Sequence, residues 1–263
     1  MKSMPYFSHQ NIKLYYEISG KGAPILFING LGGDTRSWEP LVAILKSKRT
    51  VISFDMRCAG RSDKPLEPFA ISNVSSDAAA LMKNLGFETF DVLGHSMGGM
   101  VAIDLALDYS DRTGIIFLIS TAPAVTRPFP MSDATRNLFN RTDISPALLT
   151  DVFNMIFGPN YKKKVSAQNF IDFRFADELI QPTDAYLNQL KACISFDRMD
   201  DFKDINSTTI IITGDSDLVI PPDNSKWMQA QLEGSKLITM KGIGHMLAIE
   251  APKELADIVA EYL

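Results

Sequence analysis

Val92-Leu93-Gly94-His95-Ser96-Met97-Gly98-Gly99 is a short apolar strand that ends in Gly-x-Ser-x-Gly. It runs at once into Met100-Val101-Ala102-Ile103-Asp104-Leu105-Ala106, an apolar stretch of helical character. A strand that turns directly into a helix at a serine is a nucleophile elbow. The glycines have a steric reason: the serine sits in a tight, strained turn, and small residues on both sides let strand and helix approach closely. The serine side chain is then thrust clear of the sheet. A Gly-rich turn with an incidental serine would read the same in isolation, so the reading depends on partners elsewhere in the chain.

On either side of the elbow the chain alternates buried strands with helices. Ile12 to Ser19 alternates polar and apolar residues, which predicts an antiparallel opening with turns at Ser8–Asn11 and Gly20–Gly22. Pro24-Ile25-Leu26-Phe27-Ile28 and Thr50-Val51-Ile52-Ser53-Phe54 read as strands buried on both faces, with a helix marked by Trp38, Leu41, Val42, Ile44 and Leu45 between them. Helical spacing runs from Asn73 to Leu85, with Gly86 as its stop. Gly114–Ile119, Thr208–Thr213 and Ser235–Met240 are further strands, and a helix opened by Pro252 closes the chain. Such alternation predicts a parallel sheet covered on both faces, an α/β architecture. The pattern breaks between Ala124 and about Asn206. There the segments are helix-like, and Phe129, Phe139, Phe153, Phe157, Phe170, Phe173 and Phe175 are packing residues of which some are expected to face a ligand.

A serine hydroxyl is a poor nucleophile until a base takes its proton, and that base must be held in the right tautomer by a third group. The chain has three histidines. His9 lies in the opening hairpin, and His95 adjoins the serine but is expected to point to the other side of the elbow. That leaves His245, in Gly242-Ile243-Gly244-His245-Met246, at the C-terminal end of the last strand, where open sheets put their ligands. The orienting carboxylate is sought after the preceding strand, in Gly214-Asp215-Ser216-Asp217-Leu218-Val219-Ile220-Pro221. Asp217 is preferred because it lies further into the loop; Asp215 is the fallback, with a turn-forming role as its alternative. The order Ser96, Asp217, His245 matches the nucleophile, acid, base order of one hydrolase fold. An oxyanion needs donors fixed beforehand. The N–H of Met97 at the helix N-terminus is one, and the N–H of Leu31 in Asn29-Gly30-Leu31-Gly32-Gly33 is expected to be the second. Trp38, Leu218, Val219 and Met246 flank these residues and are candidates for an apolar substrate pocket.

Composition narrows the function classes. At 263 residues, 46% hydrophobic and 22% charged, the chain can bury a large core of ordinary globular type. A net charge of -5 lacks the basic footprint of a nucleic-acid binder, and Lys162-Lys163-Lys164 reads as a solvated helix face. The opening Met1–Gln10 lacks the apolar run of a signal peptide, and no run of eighteen apolar residues follows. Cys58 and Cys193 match neither a metal site nor a redox pair, and reduced thiols in a cytoplasmic protein are the expectation.

Taken together, the oxyanion loop Asn29–Gly33, Asp55-Met56-Arg57 with Gly60 and Ser62, the elbow, Gly214–Pro221 and Gly244-His245 resemble the α/β-hydrolase superfamily in its branch of small esterases and lactonases, over nearly the whole chain. The resemblance implies about eight mostly parallel strands flanked by helices, with a helical cap inserted after the strand ending near Ile119. The core is then 1–123 and 206–263, and the cap 124–205. It implies a serine hydrolase acting on small carboxylic esters or lactones, with no metal or organic cofactor. Carbon–carbon bond hydrolysis, demethylation of a carrier-bound acyl ester, and a non-catalytic ligand receptor are the competing roles on the same fold. Asn29, where many members carry histidine, is similar to 3-oxoadipate enol-lactonases. Cys58 stands where glycine is common, which bears on the local turn.

Overall fold

The apolar runs assemble into one eight-stranded sheet in the computed structural model, which describes residues 5–263. Residues 1–4 of the opening stretch lie outside the described residues. The strands are β1 (Tyr6–His9), β2 (Ile12–Gly20), β3 (Pro24–Ile28), β4 (Thr50–Phe54), β5 (Phe90–His95), β6 (Thr113–Ile119), β7 (Thr209–Gly214) and β8 (Lys236–Met240). Their order across the sheet is β1-β2-β4-β3-β5-β6-β7-β8. β1 pairs antiparallel with β2 and β2 with β4; every other pair is parallel. The elbow strand β5 therefore lies at the centre, and the loops at the C-terminal ends of the parallel strands gather along one edge.

Continuous apolar sequence is what two-sided burial demands, because successive side chains point to opposite faces. Along β3, Ile25 and Phe27 enter one core while Leu26 and Ile28 enter the other; β6 divides Phe117 and Ile119 from Ile116 and Leu118 in the same way. Each fully buried aliphatic side chain contributes about 1.5–3 kcal/mol. One face is covered by α1 (Glu39–Leu45), α10 (Leu247–Glu250) and α11 (Pro252–Tyr262). The other is covered by α2 (Ile71–Asn84), α3 (Met97–Asp108) and α9 (Pro222–Gln231). The α2 helix starts two residues before the periodicity suggests, because the Asn73 side chain accepts from the Ala70 N–H and completes the first turn behind it.

Between β6 and β7 come α4 (Asp133–Phe139), α5 (Pro146–Ile156), α6 (Pro159–Lys162), α7 (Ala167–Phe175) and α8 (Thr183–Ser195). The two ends of this insertion are clipped together: Ala124 and Asp197 form an isolated antiparallel bridge, Arg198 N–H donates to the Pro123 carbonyl at 2.9 Å, and Arg127 pairs with Asp197 at 2.7 Å. Phe153, Phe157, Phe170 and Tyr161 form an aromatic cluster among α5, α6 and α7, while Phe173 and Phe175 face solvent. Both cysteines are free and buried. No helix among the described residues is long and apolar enough to cross a membrane.

The crossing of α3 over β5 and β3 leaves no room for a side chain at its glycines. A methyl group on Gly94 would strike the Gly98 carbonyl, and one on Gly98 would strike the Ile28 carbonyl. These obstacles are backbone and cannot swing aside. Gly98→Ala is therefore expected to cost about 3 kcal/mol and to lower Tm by roughly 6–12 °C in a thermal melt followed by circular dichroism.

Candidate active site

Ser96 is the junction between β5 and α3, with φ +54 and ψ -119. A non-glycine residue in this region is strained, and the surroundings enforce it. Its N–H donates to the Ile119 carbonyl at 2.9 Å, and its own carbonyl accepts from Thr121 Oγ1 at 2.7 Å and from the Gly99 N–H at 2.9 Å. With the backbone fixed on all sides, the hydroxyl stands at the positive end of α3.

Asp217 and His245 are brought together at the ends of β7 and β8. His245 Nδ1 lies 2.9 Å from Asp217 Oδ2, and Asp217 Oδ1 accepts from the N–H groups of Val219 (2.8 Å) and Ile220 (3.0 Å). Both side chains are buried. Burial alone would push the Asp217 carboxyl up, but His245 and the backbone donors prevail and hold it below the usual carboxylate range. An ionised Asp217 accepts from Nδ1–H and so fixes the tautomer that leaves Nε2 unprotonated. Asp215 is engaged otherwise: its Oδ1 accepts from the Gly242 N–H at 2.7 Å and from Ser216 Oγ at 2.9 Å, bracing the turn between the two loops.

His95 does not turn away from this centre. Its Nε2–H donates to the His245 carbonyl at 2.8 Å, and the two rings lie 4.8 Å apart. Burial, with His245 beside it, pulls its pKa down to about 3. It is thus a neutral donor that holds the His245 backbone, a role the sequence does not signal because the contact spans 150 residues.

The Asn29–Gly33 loop comes next to the elbow: a methyl on Gly30 would approach Ser96 Cβ to 3.1 Å. Asn29 Nδ2 donates to the Asp34 carbonyl at 2.8 Å, closing the loop from inside. Neither the Leu31 N–H nor the Met97 N–H meets a protein acceptor among the described residues. The next amide, Gly32 N–H, donates to Gln189 Oε1 on α8 at 3.0 Å. Fully buried Gln189 also donates from Nε2 to the Arg57 carbonyl at 2.9 Å and accepts from Gln181, which itself donates to the Cys58 carbonyl at 2.7 Å. Cys58 adopts φ +72, so the turn keeps the left-handed backbone of a glycine despite the side chain.

A cavity of about 420 Å³ opens on Ser96. Leu31, Met97, Met100, Val219 and Ile220 line it from the sheet side. The insertion supplies Met131, Phe139, Leu190, Cys193 and Ile194, with Thr126, Arg136 and Asn140 as polar exceptions. Of the pocket candidates named from sequence, Val219 lines this cavity and three do not. Trp38 is buried in the core on the opposite face of the sheet, edge-on to Phe27 and His95. Leu218 is 59% exposed, because the turn that aims Asp217 inward aims its neighbour out. Met246 caps α10 with its N–H held by Glu250, away from the cavity. Among the insertion phenylalanines, only Phe139 lines it. No group of three metal-ligating side chains occurs among the described residues.

Comparison with known proteins places the fold that carries these residues. The model described as "Alpha/beta hydrolase family" matches residues 25–258. The enol-lactonase from Burkholderia xenovorans LB400 has a similar structure, with a TM-score of 0.85 at 24% identity, over 98% of this chain and 99% of that one. A meta-cleavage product hydrolase from Pseudomonas fluorescens IP01 aligns with a TM-score of 0.83 at 21% identity, over 96% and 94% of the two chains. A relative in Azorhizobium caulinodans, provisionally called carbamate hydrolase RutD, is 34% identical over 117 residues, which span 44% of each chain.

The Gln189 contacts carry a stability consequence. Gln189→Leu leaves the half-buried Gly32 N–H and the buried Arg57 carbonyl without partners and is expected to cost about 2 kcal/mol, read as a lowered urea midpoint at unchanged slope.

Proposed function

Because the chain belongs to the alpha/beta hydrolase family, we propose that it is a serine hydrolase cleaving carboxylic esters or lactones of small, mainly apolar substrates. The observation that carries this reading is the buried 2.9 Å contact between Asp217 Oδ2 and His245 Nδ1, across the sheet edge from a serine held at φ +54. A structural serine has no need of that backbone, and a structural histidine has no need of a buried carboxylate that fixes its tautomer.

In the proposed mechanism Ser96 Oγ attacks the ester carbonyl while His245 Nε2 takes its proton. The oxyanion is received by the free N–H groups of Leu31 and Met97, the latter reinforced by the α3 dipole. The carbonyl reforms, the alcohol leaves with the proton from His245, and an acyl-enzyme remains. Water then attacks with His245 again as base, releasing the acid and regenerating Ser96. Asp217 stays ionised throughout and stabilises the imidazolium. In a lactone the leaving alcohol is part of the same molecule, and the same steps apply. Residues 124–205 act as a cap on the core formed by 1–123 and 206–263. The aliphatic and thioether lining of the cavity suits an apolar acyl or alcohol group.

Hydrolysis of p-nitrophenyl esters from acetate to decanoate tests the reading. Wild type is expected to peak at one chain length, and Ser96→Ala to lose turnover and fluorophosphonate labelling while keeping its melting temperature. Substantial turnover in the folded variant would remove Ser96 from the mechanism. Between the two acids, Asp217→Asn is expected to lower kcat by about 10⁴-fold, whereas Asp215→Asn should stay within a few-fold of wild type; the opposite ranking would transfer the role to Asp215.

A further inference from the structure

Glu250, at the end of α10, holds its carboxylate half-buried with no cation paired to it among the described residues. Its partners are backbone amides only. Oε1 accepts from the Gly244 N–H at 3.0 Å and the Met246 N–H at 3.2 Å; Oε2 accepts from the Gly158 N–H at 2.8 Å and lies 3.1 Å from the Gly244 nitrogen. Gly244 and Met246 are the two neighbours of His245, and Gly158 belongs to the insertion. We propose that Glu250 is the positioning residue for His245, tying both sides of its loop to the insertion so that the insertion sets where the imidazole stands. This rests on the assignment of His245 as the base.

Three observations support the proposal. First, the histidine itself has both backbone groups taken: its N–H donates to the Ile156 carbonyl at 2.8 Å, also in the insertion, and its carbonyl accepts from His95. With Glu250 holding the flanking amides, the segment 244–246 has few backbone torsions left to relax. Secondly, the two strands of chain are in backbone contact. A methyl on Gly158 would lie 2.5 Å from the Gly244 nitrogen, and one on Gly244 would lie 2.5 Å from the Gly158 nitrogen. Glycine at both positions brings two N–H groups within reach of one carboxylate. Thirdly, only a carboxylate fits. Both of its oxygens accept, whereas a glutamine amide offers one oxygen and would turn an NH2 donor against an N–H donor. Burial, with the Asp217 carboxylate adding to it, raises the Glu250 carboxyl above its ordinary value, and the three amide donors oppose that shift without cancelling it.

The test compares Glu250→Gln and Glu250→Ala with wild type, using the best p-nitrophenyl ester together with 15N-histidine NMR. A misplaced base slows chemistry without weakening substrate binding. The expected losses in kcat are about 10-fold for Gln and about 100-fold for Ala, with KM within about 3-fold of wild type. The His245 Nδ1–H resonance should broaden or move in both variants, and that of His9 should not. Folded variants with wild-type kcat and an unmoved His245 resonance would overturn the proposal, as would a loss expressed wholly in KM. If the variants fail to fold, hydrogen exchange in the wild type decides: the Gly158, Gly244 and Met246 amides are expected to exchange in one common opening. A Gly158 amide that exchanges independently of the other two would overturn the assignment. A wild type that neither hydrolyses esters nor labels at Ser96 would refute the hydrolase mechanism, and leaves the NMR and exchange results to judge Glu250 alone.

Discussion

A strand and a helix cross at backbone distance at Gly94 and Gly98, and most of the molecule is arranged to make that crossing tenable. The next residue outward, Ser96, must take φ +54 because its N–H is fixed to β6 and its carbonyl to Thr121. Strain of this kind costs about 1–3 kcal/mol, and the fold offsets it with two cores built from strands that are apolar on both faces. A looser sheet would let the turn relax and the hydroxyl sink back toward the helix. The parallel order β4-β3-β5-β6-β7-β8 then brings the loops after β3, β7 and β8 to the same edge as the elbow.

Around the serine, positions are set chiefly by main-chain contacts. His245 is gripped through its amide, its carbonyl and the amides on either side. The Leu31 loop is gripped through Gly32 and through the Asn29 side chain inside it. In each case the insertion takes part: through Ile156 and Gly158 on the histidine side, and through Gln189 on the other. The insertion is therefore bolted to the two loops that flank the serine, while its first helix, α4, contributes Arg136 and Phe139 to the cavity wall.

How far the sequence could be read follows from the range of the interactions. The sheet was legible because two-sided burial writes itself as unbroken apolar runs, and the elbow because its glycines and serine are adjacent. Asp217 and His245 could be matched because both follow late strands in an open α/β sheet, where topology alone gathers loop ends. The cavity wall was not legible. Trp38 and Leu218 are close in sequence to site loops, but a short 3-10 helix carries Trp38 into the core and the turn at Asp217 sends Leu218 outward, so adjacency to the loop did not mean adjacency to Ser96. Glu250 and Gln189 left no signal either. A single polar residue in a helix looks solvent-facing until the tertiary contact is known, and Gln189 acts across 157 residues.

The use of main-chain fasteners has a consequence for how this scaffold can change. An amide or a carbonyl is present whatever side chain the residue bears, so the grip of Ile156 on His245 is indifferent to what is written at position 156. Beyond Ser96, Asp217 and His245 themselves, the residues whose identity is locked are few: the paired glycines, Asn29, His95, Gln189 and Glu250. Side chains projecting from α4 into the cavity bear no such obligation. On the proposed mechanism, chemistry and selectivity are thereby placed on separate, nearly independent sets of positions, so that redecorating one wall would change the substrates admitted while the serine and its partners stay where they are.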